Sequence, residues 1–567
     1  MIKKIFISLA LSQALLYGAN DDAKQIGDMI KNSPYSNEAQ NKNISNSLKN
    51  QQTDIKLFNE NTEDETTIEN DEVLDTDEPK AYIKSYTLHL DNKEETFKSL
   101  GVDEKEIQLL ISNFKNEELS IRTLKDIANI VSYYFQTHGY PAATAYIPPQ
   151  DLSNANVQIN ITLGRLGKFI IKNSSGARDY AIESKLNQKL KGKILTVRKI
   201  EDSAYRVSEM NGIKVGGNIQ AGDNYGESDV VIEVAKDKSA TLLIYGDNYD
   251  TKETGRHKGG MSQTINNLAR QGDTLNFYIQ NTDENQINYG ATYSTFIGNL
   301  SISPFISKSS YTLGGSYAGS GFFGTSLNSG VKFAYPIFLY SDKTLKLVFG
   351  FTHRELEDHY LKDIAISKKA SNSGNVGIEG TYQGIENNSL SYIINFTYGN
   401  LEDDGSKIIT QGPNLGNFGK MNININNEYH FQELLTHIFQ LNYQKVIGGM
   451  VLDGSETTSI GGPYGVRAYY DGEGGADNAI WGSLGIRFQT PLRGFYLIPF
   501  YDIGYSWYQN KQYQNTNHYF MDAMGMQALY IKPGKFYIKA DAARAVHKFK
   551  FDGKHRTRVY ISTGLYF

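Results

Sequence analysis

The chain has 567 residues, a formal charge of −5, a negative mean hydropathy and no cysteine. Without cysteine there is neither a disulfide framework nor a thiolate metal site, and no run beyond the N-terminus approaches the roughly 18 apolar residues of a membrane helix. The length allows several domains, and residues 81–567 are close to neutral, with no dense basic stripe of the kind that tracks nucleic acid.

Residues 1–19 open with Lys3 and Lys4, continue through the apolar run Ile5-Phe-Ile-Ser-Leu-Ala-Leu11 and end at Ala19, just before Asp21 and Asp22. This is the shape of a secretory signal peptide, although Tyr17 is large where a small residue suits cleavage. The chain is therefore expected to leave the cytoplasm. With no membrane helix to follow, any spanning segment has to be a β-barrel. Residues 20–80 carry fifteen Asp and Glu against six Lys, with only Tyr35 and Phe58 aromatic. Such a stretch buries too little apolar surface to offset chain entropy, and a disordered acidic linker is expected. Inside it, Asp21–Lys31 puts Ile26, Met29 and Ile30 on one side of a short helix, or is plain tail.

From residue 81 one pattern occurs twice. The first unit, residues 81–164, reads as a strand near Tyr82–Leu90, helices near Asp103–Phe114 and Thr123–Gln136, and strands near Ala143–Ile147 and Val157–Leu163. Leu124, Ile127, Val131 and Phe135 recur at helical spacing. Thr123 with Asp126 has the spacing of a capping box, and Gly139 suits the position past the helix end. The second unit, residues 165–237, reads as a strand at Lys168–Lys172, helices near Asp179–Leu190 and Val197–Met210, and strands near Ile213–Ile219 and Asp229–Ala235. Two tandem β-α-α-β-β modules are expected, neither with a catalytic constellation.

Over residues 238–567 the period changes to two, as in Leu345-Lys-Leu-Val-Phe-Gly-Phe351 and Leu390-Ser-Tyr-Ile-Ile-Asn-Phe396. Alternation alone also fits a soluble sandwich. Segments of about ten residues, 39 Tyr and 27 Phe gathered near segment ends, and a final strand with Val559, Ile561, Leu565 and Phe567 on one face favour a membrane barrel. Sixteen segments are expected, starting near 239, 256, 273, 286, 299, 325, 343, 373, 389, 417, 436, 480, 495, 517, 535 and 557. Those at 325, 373 and 517 are weak. The fold class is thus a membrane β-barrel of about 16 antiparallel strands preceded by two α+β domains, with Phe567 as a C-terminal barrel signal.

Between the eleventh and twelfth segments lies a Gly-rich loop, Gly461-Gly-Pro-Tyr-Gly-Val466-Arg467-Ala468-Tyr469, running on to Asp477; the thirteenth carries Phe500-Tyr-Asp502-Ile-Gly504. If Leu497, Tyr501, Ile503 and Tyr505 face lipid, Asp502 faces the lumen. A carboxylate there needs a partner, and a guanidinium offers a charge-assisted, bidentate match. The bland alternative is a surface arginine and a water-solvated aspartate. Asp471–Asp477 lacks the spacing of an EF-hand loop, the ten His show no zinc-ligand pair, and no GxSxG motif occurs. No metal, cofactor or enzymatic activity is expected.

The VRAY loop (Val466–Tyr469) and the FYDIG strand (Phe500–Gly504) resemble the two signature motifs of the outer-membrane transporters of two-partner secretion systems, the haemolysin secretion/activation family of POTRA-plus-barrel proteins. Further likenesses follow in family order: Gly139-Tyr140 leading to Tyr146–Asp151 and Leu163–Gly167 in the first POTRA domain, Asp247-Asn248 with Thr254–Arg256, and Ser309–Tyr311 into Phe333–Pro336. Ala468 departs from the glycine common there. The resemblance implies periplasmic N-terminal domains that bind an unfolded exoprotein (a large β-helical adhesin, haemolysin or toxin) and a barrel that exports it. It further implies an Arg467–Asp502 pair pinning the loop inside the lumen and Asp21–Lys31 as a plug. Outer-membrane lipid and, during biogenesis, the barrel assembly machinery complete the partners. No Walker loop occurs, so folding of the cargo outside is the implied energy source. The competing classes are a barrel insertase, a diffusion porin with periplasmic domains, and a surface adhesin.

Overall fold

The computed structural model describes residues 80–567, except residues 93, 252–253, 284–285, 313, 316–320, 322, 361–363, 406–414, 433, 511–516 and 550–552. The signal-peptide, plug-helix and acidic-linker expectations lie outside the described residues. The described chain divides into two compact units, most of residues 80–237 and residues 238–567.

The first unit begins with β1 (Lys80–Ile83), β2 (Ser85–Leu90), α1 (Glu104–Leu110), β3 (Glu117–Ser120), α2 (Ile121–Thr137), β4 (Thr144–Tyr146) and β5 (Asn156–Thr162). Strand β5 runs parallel to β2 and antiparallel to β4, while β1 and β3 form a separate two-stranded ribbon. Helix α2 exists because its apolar stripe, Leu124, Ile127, Val131 and Phe135, closes a core with Ile159, Ile161 and Leu163. The capping-box expectation is corrected: Ser120, not Thr123, is the N-cap, and its hydroxyl accepts the Thr123 N–H. The short β3 delivers the chain into the helix one turn early, placing Thr123 inside it. Gly139, with φ of 92°, does follow the helix end.

The chain continues with β6 (Arg165–Asn173), α3 (Asp179–Glu183), α4 (Val197–Ser208), β7 (Ile213–Ala221) and β8 (Glu227–Lys236). The sheet order β6-β8-β7, with β6 parallel to β8, repeats the order β2-β5-β4 of the first module. Helix α3 ends at Glu183 rather than near Leu190, because Asn187 caps the Lys189 N–H and starts a separate 3-10 turn.

The second unit is a closed barrel of sixteen antiparallel strands. They are β9 (Ala240–Asp247), β10 (Lys258–Asn266), β11 (Thr274–Thr282), β12 (Ile287–Ile297), β13 (Leu300–Thr312), β14 (Phe323–Leu339), β15 (Lys343–Tyr360) and β16 (Ile364–Tyr382). There follow β17 (Asn388–Asp403), β18 (Gly416–Gln432), β19 (Leu435–Val446), β20 (Asn478–Gln489), β21 (Phe495–Trp507), β22 (His518–Lys532), β23 (Phe536–Arg544) and β24 (Thr557–Tyr566). The expected count is the observed one. Strand β16 starts nine residues before the expected position, in Ile364–Asn372, which has no continuous apolar face to announce it. Strands β14 to β18, with 16–19 residues each, exceed the length a tilted spanning strand needs.

Alternation sorts the wall. On β15, Leu347, Phe349 and Phe351 are exposed on the outside, as are Phe396 and Tyr398 on β17 and Ile503 and Tyr505 on β21. Residues between them face the lumen. The barrel closes where β24 meets β9 through five register pairs, from Ser562↔Asp247 to Tyr566↔Leu243. Phe567 and Leu242 exchange two more backbone bonds, at 2.9 and 3.0 Å. The Asn248 side chain then extends the seam, accepting the Ile561 N–H at 2.7 Å and donating to the Val559 carbonyl at 3.1 Å.

Candidate functional site

Between β19 and β20 the chain folds back into the lumen. Its neck is tied by Asp477, fully buried, which accepts the Leu452 and Gln509 N–H groups at 3.0 and 2.8 Å. A bridge between Thr458 and Ala476 narrows it further. Beyond the neck the turns are tight. Gly462 has a φ of 115°, and a Cβ on Gly465 would lie 2.3 Å from the Ile460 carbonyl oxygen, so neither position accepts a side chain without moving the backbone.

At the tip, Arg467 reaches four consecutive strands. Its Nε and Nη2 donate to Asp502 on β21 at 2.9 and 2.7 Å, a bidentate pair. Nη2 also donates to Ser483 on β20 at 2.9 Å, and Nη1 to Gln527 on β22 and Asp541 on β23 at 3.3 and 3.2 Å. The five guanidinium N–H groups thus have five acceptors. The Arg467 backbone N–H adds a sixth bond, to Asp502 at 3.1 Å. Asp502, fully buried, accepts two bonds on each oxygen, the last from Ser483 at 2.7 Å. Lys539 lies 3.2 Å from the far oxygen of Asp541, so two cations balance two carboxylates.

Strand register explains the convergence. Ser483 faces Asp502 directly across β20 and β21, and Gln527 faces Asp541 across β22 and β23. All four belong to the inward parity of their strands.

Phe500 completes the floor, with the Arg467 guanidinium carbon 3.2 Å from its ring centre. Val466, Ala468 and Tyr469 pack with Ile460, Ala479, Met521, Ala523 and Phe549 in one apolar cluster. Gly504 is small because it must be: a Cβ there would stand 3.2 Å from atoms of Ile460, Val466 and Trp481. Tyr560 donates to the Tyr469 carbonyl at 2.5 Å, and the Arg558 guanidinium stacks on Tyr470 at 3.3 Å. Phe567 lies apart from this site, exposed at the barrel seam.

The structure therefore brings together Val466, Arg467, Ala468, Tyr469, Phe500, Asp502 and Gly504. Sequence reasoning missed Ser483, Gln527, Lys539 and Asp541. Their inward parity is readable in each strand, but the level at which they meet is set by register.

Residues 226–528, more than half of the chain, match the family model described as haemolysin secretion/activation protein ShlB/FhaC/HecB, and residues 99–164 match a POTRA domain of the ShlB type. The heme/hemopexin transporter protein HuxB of Haemophilus influenzae is 23% identical over 419 residues, covering 72% of this chain and 74% of that protein. Among solved structures, CdiB from Escherichia coli superposes with a TM-score of 0.64 at 17% identity, covering 88% of this chain and 93% of that one. CdiB from Acinetobacter baumannii gives 0.63 at 16% identity, covering 94% and 98%. At these identities the superpositions speak for the fold, and the family match speaks for the function. A closed barrel of sixteen strands, a POTRA match in the N-terminal unit and a family model over more than half of the chain lead to one conclusion: the chain belongs to the haemolysin secretion/activation protein ShlB/FhaC/HecB family, the outer-membrane transporters of two-partner secretion.

Proposed function

We propose that this transporter serves one dedicated exoprotein, and that the lumen loop of residues 447–477 is the gate that exoprotein passes. The cargo, a large β-helical adhesin, haemolysin or toxin, arrives unfolded. It docks by adding a strand to the sheet edges of the two periplasmic modules, threads the barrel and folds outside. The observation that carries the reading is the Arg467 anchor. A loop with no purpose in the lumen would not place one arginine in six hydrogen bonds, five from its guanidinium and one from its backbone N–H, across β20 to β23. The anchor holds the loop at a fixed height, and the alternating wall keeps polar side chains toward the passage. The barrel itself reaches the membrane through the barrel assembly machinery, with Phe567 as the C-terminal signal.

Quantitative proteomics of culture supernatant, cell surface and outer membrane, with and without this chain, tests the proposal. Loss of one large exoprotein with other barrels unchanged is the expected result. Depletion of many barrels would point to an insertase, and no change to a porin.

A further inference from the structure

The lumen loop has a second attachment, on a different stretch of wall. Glu456 pairs with Arg354 on β15 at 2.9 Å and with Lys420 on β18 at 2.8 Å, and Asp453 pairs with Lys369 on β16 at 2.5 Å. Arg354 also donates to the Ser455 carbonyl at 2.9 Å, and Lys420 to the Glu456 carbonyl at 2.9 Å. The loop is thus acidic where it meets β15 to β18 and basic at the tip that meets β21 and β23. Each end finds wall charges of the opposite sign.

The two attachments differ in access. At the tip, Asp502 and Asp541 are fully buried, and Gly504 leaves no space between strand and loop. At the other end Arg354 and Glu456 are no more exposed than Arg467, but together with Lys420 they border a cavity of about 390 Å³ between the loop and the wall, shared with Asn375, Asn395 and Asn422. Ion pairs that border a polar cavity exchange partners with whatever enters it, whereas a dry pair holds until both groups are solvated. The wall there is also suited to a passing chain. Neutral amides donate and accept, as peptide groups do, without fixing one in place.

We propose that Glu456, helped by Asp453, is the releasable latch of the loop and that Arg467 is its fixed pivot. Cargo passes between the loop and the β15–β19 wall once the latch lets go, while the tip stays docked on β20 to β23. Glu456 is a positioning residue in this scheme. The inference rests on the reading of the loop as the gate, and deepens it by assigning the side that opens.

The test compares latch and pivot in the full-length protein. Glu456→Gln should raise the open fraction in planar-bilayer recordings about ten- to hundredfold, through loss of the charge-assisted bonds to Arg354 and Lys420, with export of the cargo retained. Arg354→Gln should do the same by an independent route, and Glu456→Asp, which keeps the charge, should restore the closed trace. The pivot is tested by a staple. A Cβ at position 504 would lie 3.2 Å from that of Ile460, a few tenths of an ångström short of the usual disulfide range of about 3.5–4.5 Å, and the native chain has no cysteine to compete. The pair Ile460→Cys and Gly504→Cys is read against itself: whatever crowding at position 504 costs, export should be the same with the disulfide formed and with it reduced, and Gly504→Ala gives the crowding cost alone. Export lost in the oxidised staple and recovered on reduction would overturn the pivot while leaving the loop as the gate. Latch variants with wild-type conductance would overturn the latch. If neither the latch variants nor Arg467→Ala changed conductance or export, the gate reading itself would fail.

Discussion

Replacing Arg467 with alanine removes five side-chain donors from a pocket whose main acceptor, Asp502, has no exposure to solvent. Breaking a buried ion pair from one side costs about 3–5 kcal/mol, because the remaining charge is left uncompensated. Here the lower figure applies. Lys539, 3.2 Å from Asp541, still neutralises that carboxylate, and Ser483 still donates to Asp502 at 2.7 Å. About 3 kcal/mol corresponds to a roughly hundredfold shift of the loop from docked to undocked, at about 1.4 kcal/mol per tenfold. The expected outcome is a barrel that reaches the outer membrane in normal amount, judged by heat-dependent gel mobility. It should show large conductance fluctuations in planar bilayers and export little or no cargo. Arg467→Lys should fall between, since an ammonium keeps the charge but not the planar fork. Undiminished export with a quiet channel in the alanine variant would refute the reasoning.

Gly504→Val should behave like a mild Arg467 variant, because its methyl groups enter space held by Ile460, Val466 and Trp481. Overpacking of this kind costs about 1–3 kcal/mol, and wild-type conductance would count against it. Deleting Phe567 removes two of the backbone bonds that lengthen the five-pair seam between β24 and β9; the level of assembled barrel should drop severalfold, read by quantitative immunoblotting of outer membranes. In the first module, burial pushes the phenols of Tyr86 and Tyr134 up to about 12, with Glu117 and Glu106 adding to the shift. A group whose folded pKa is raised contributes stability below its unfolded pKa, near 10, and loses it as pH rises through the folded value. Thermal melts of a fragment spanning residues 80–237 should therefore fall steeply between about pH 10 and 12. Replacing both tyrosines with Phe should remove much of that slope, and an unchanged slope would reject the assignment.

Much of this architecture is written in side-chain alternation. Parity along Leu497-Ile-Pro-Phe-Tyr-Asp502-Ile-Gly-Tyr505 is enough to turn Asp502 inward, and the same rule locates nearly every barrel strand, because a wall between lipid and water imposes period two. It fails where that condition lapses. The first part of β16, Ile364–Asn372, carries Ser367, Lys368, Lys369, Ser371 and Asn372 and so has no continuous apolar alternation to read. The ribbon strand β3, with the sequence Glu-Glu-Leu-Ser, is too short to show a period, so the cap moved to Ser120. The site was legible as two motifs but not as a six-bond hub, since Ser483, Gln527 and Asp541 come together through register. Nothing in the run Val451–Thr458 marks Asp453 and Glu456 as partners of wall residues 36 to 102 positions away. Only the path of the loop through the lumen brings them there.

The most direct test of cargo passing through this barrel is site-specific photocrosslinking during secretion. A photoreactive residue at Asn424, which lines the cavity on the lumen side of β18, should capture the exoprotein. The same residue at Phe396, exposed on the outer face of β17, should not. Capture at the inner position alone is the predicted result; equal capture at both positions, or none at Asn424 while secretion proceeds, would contradict passage through the lumen.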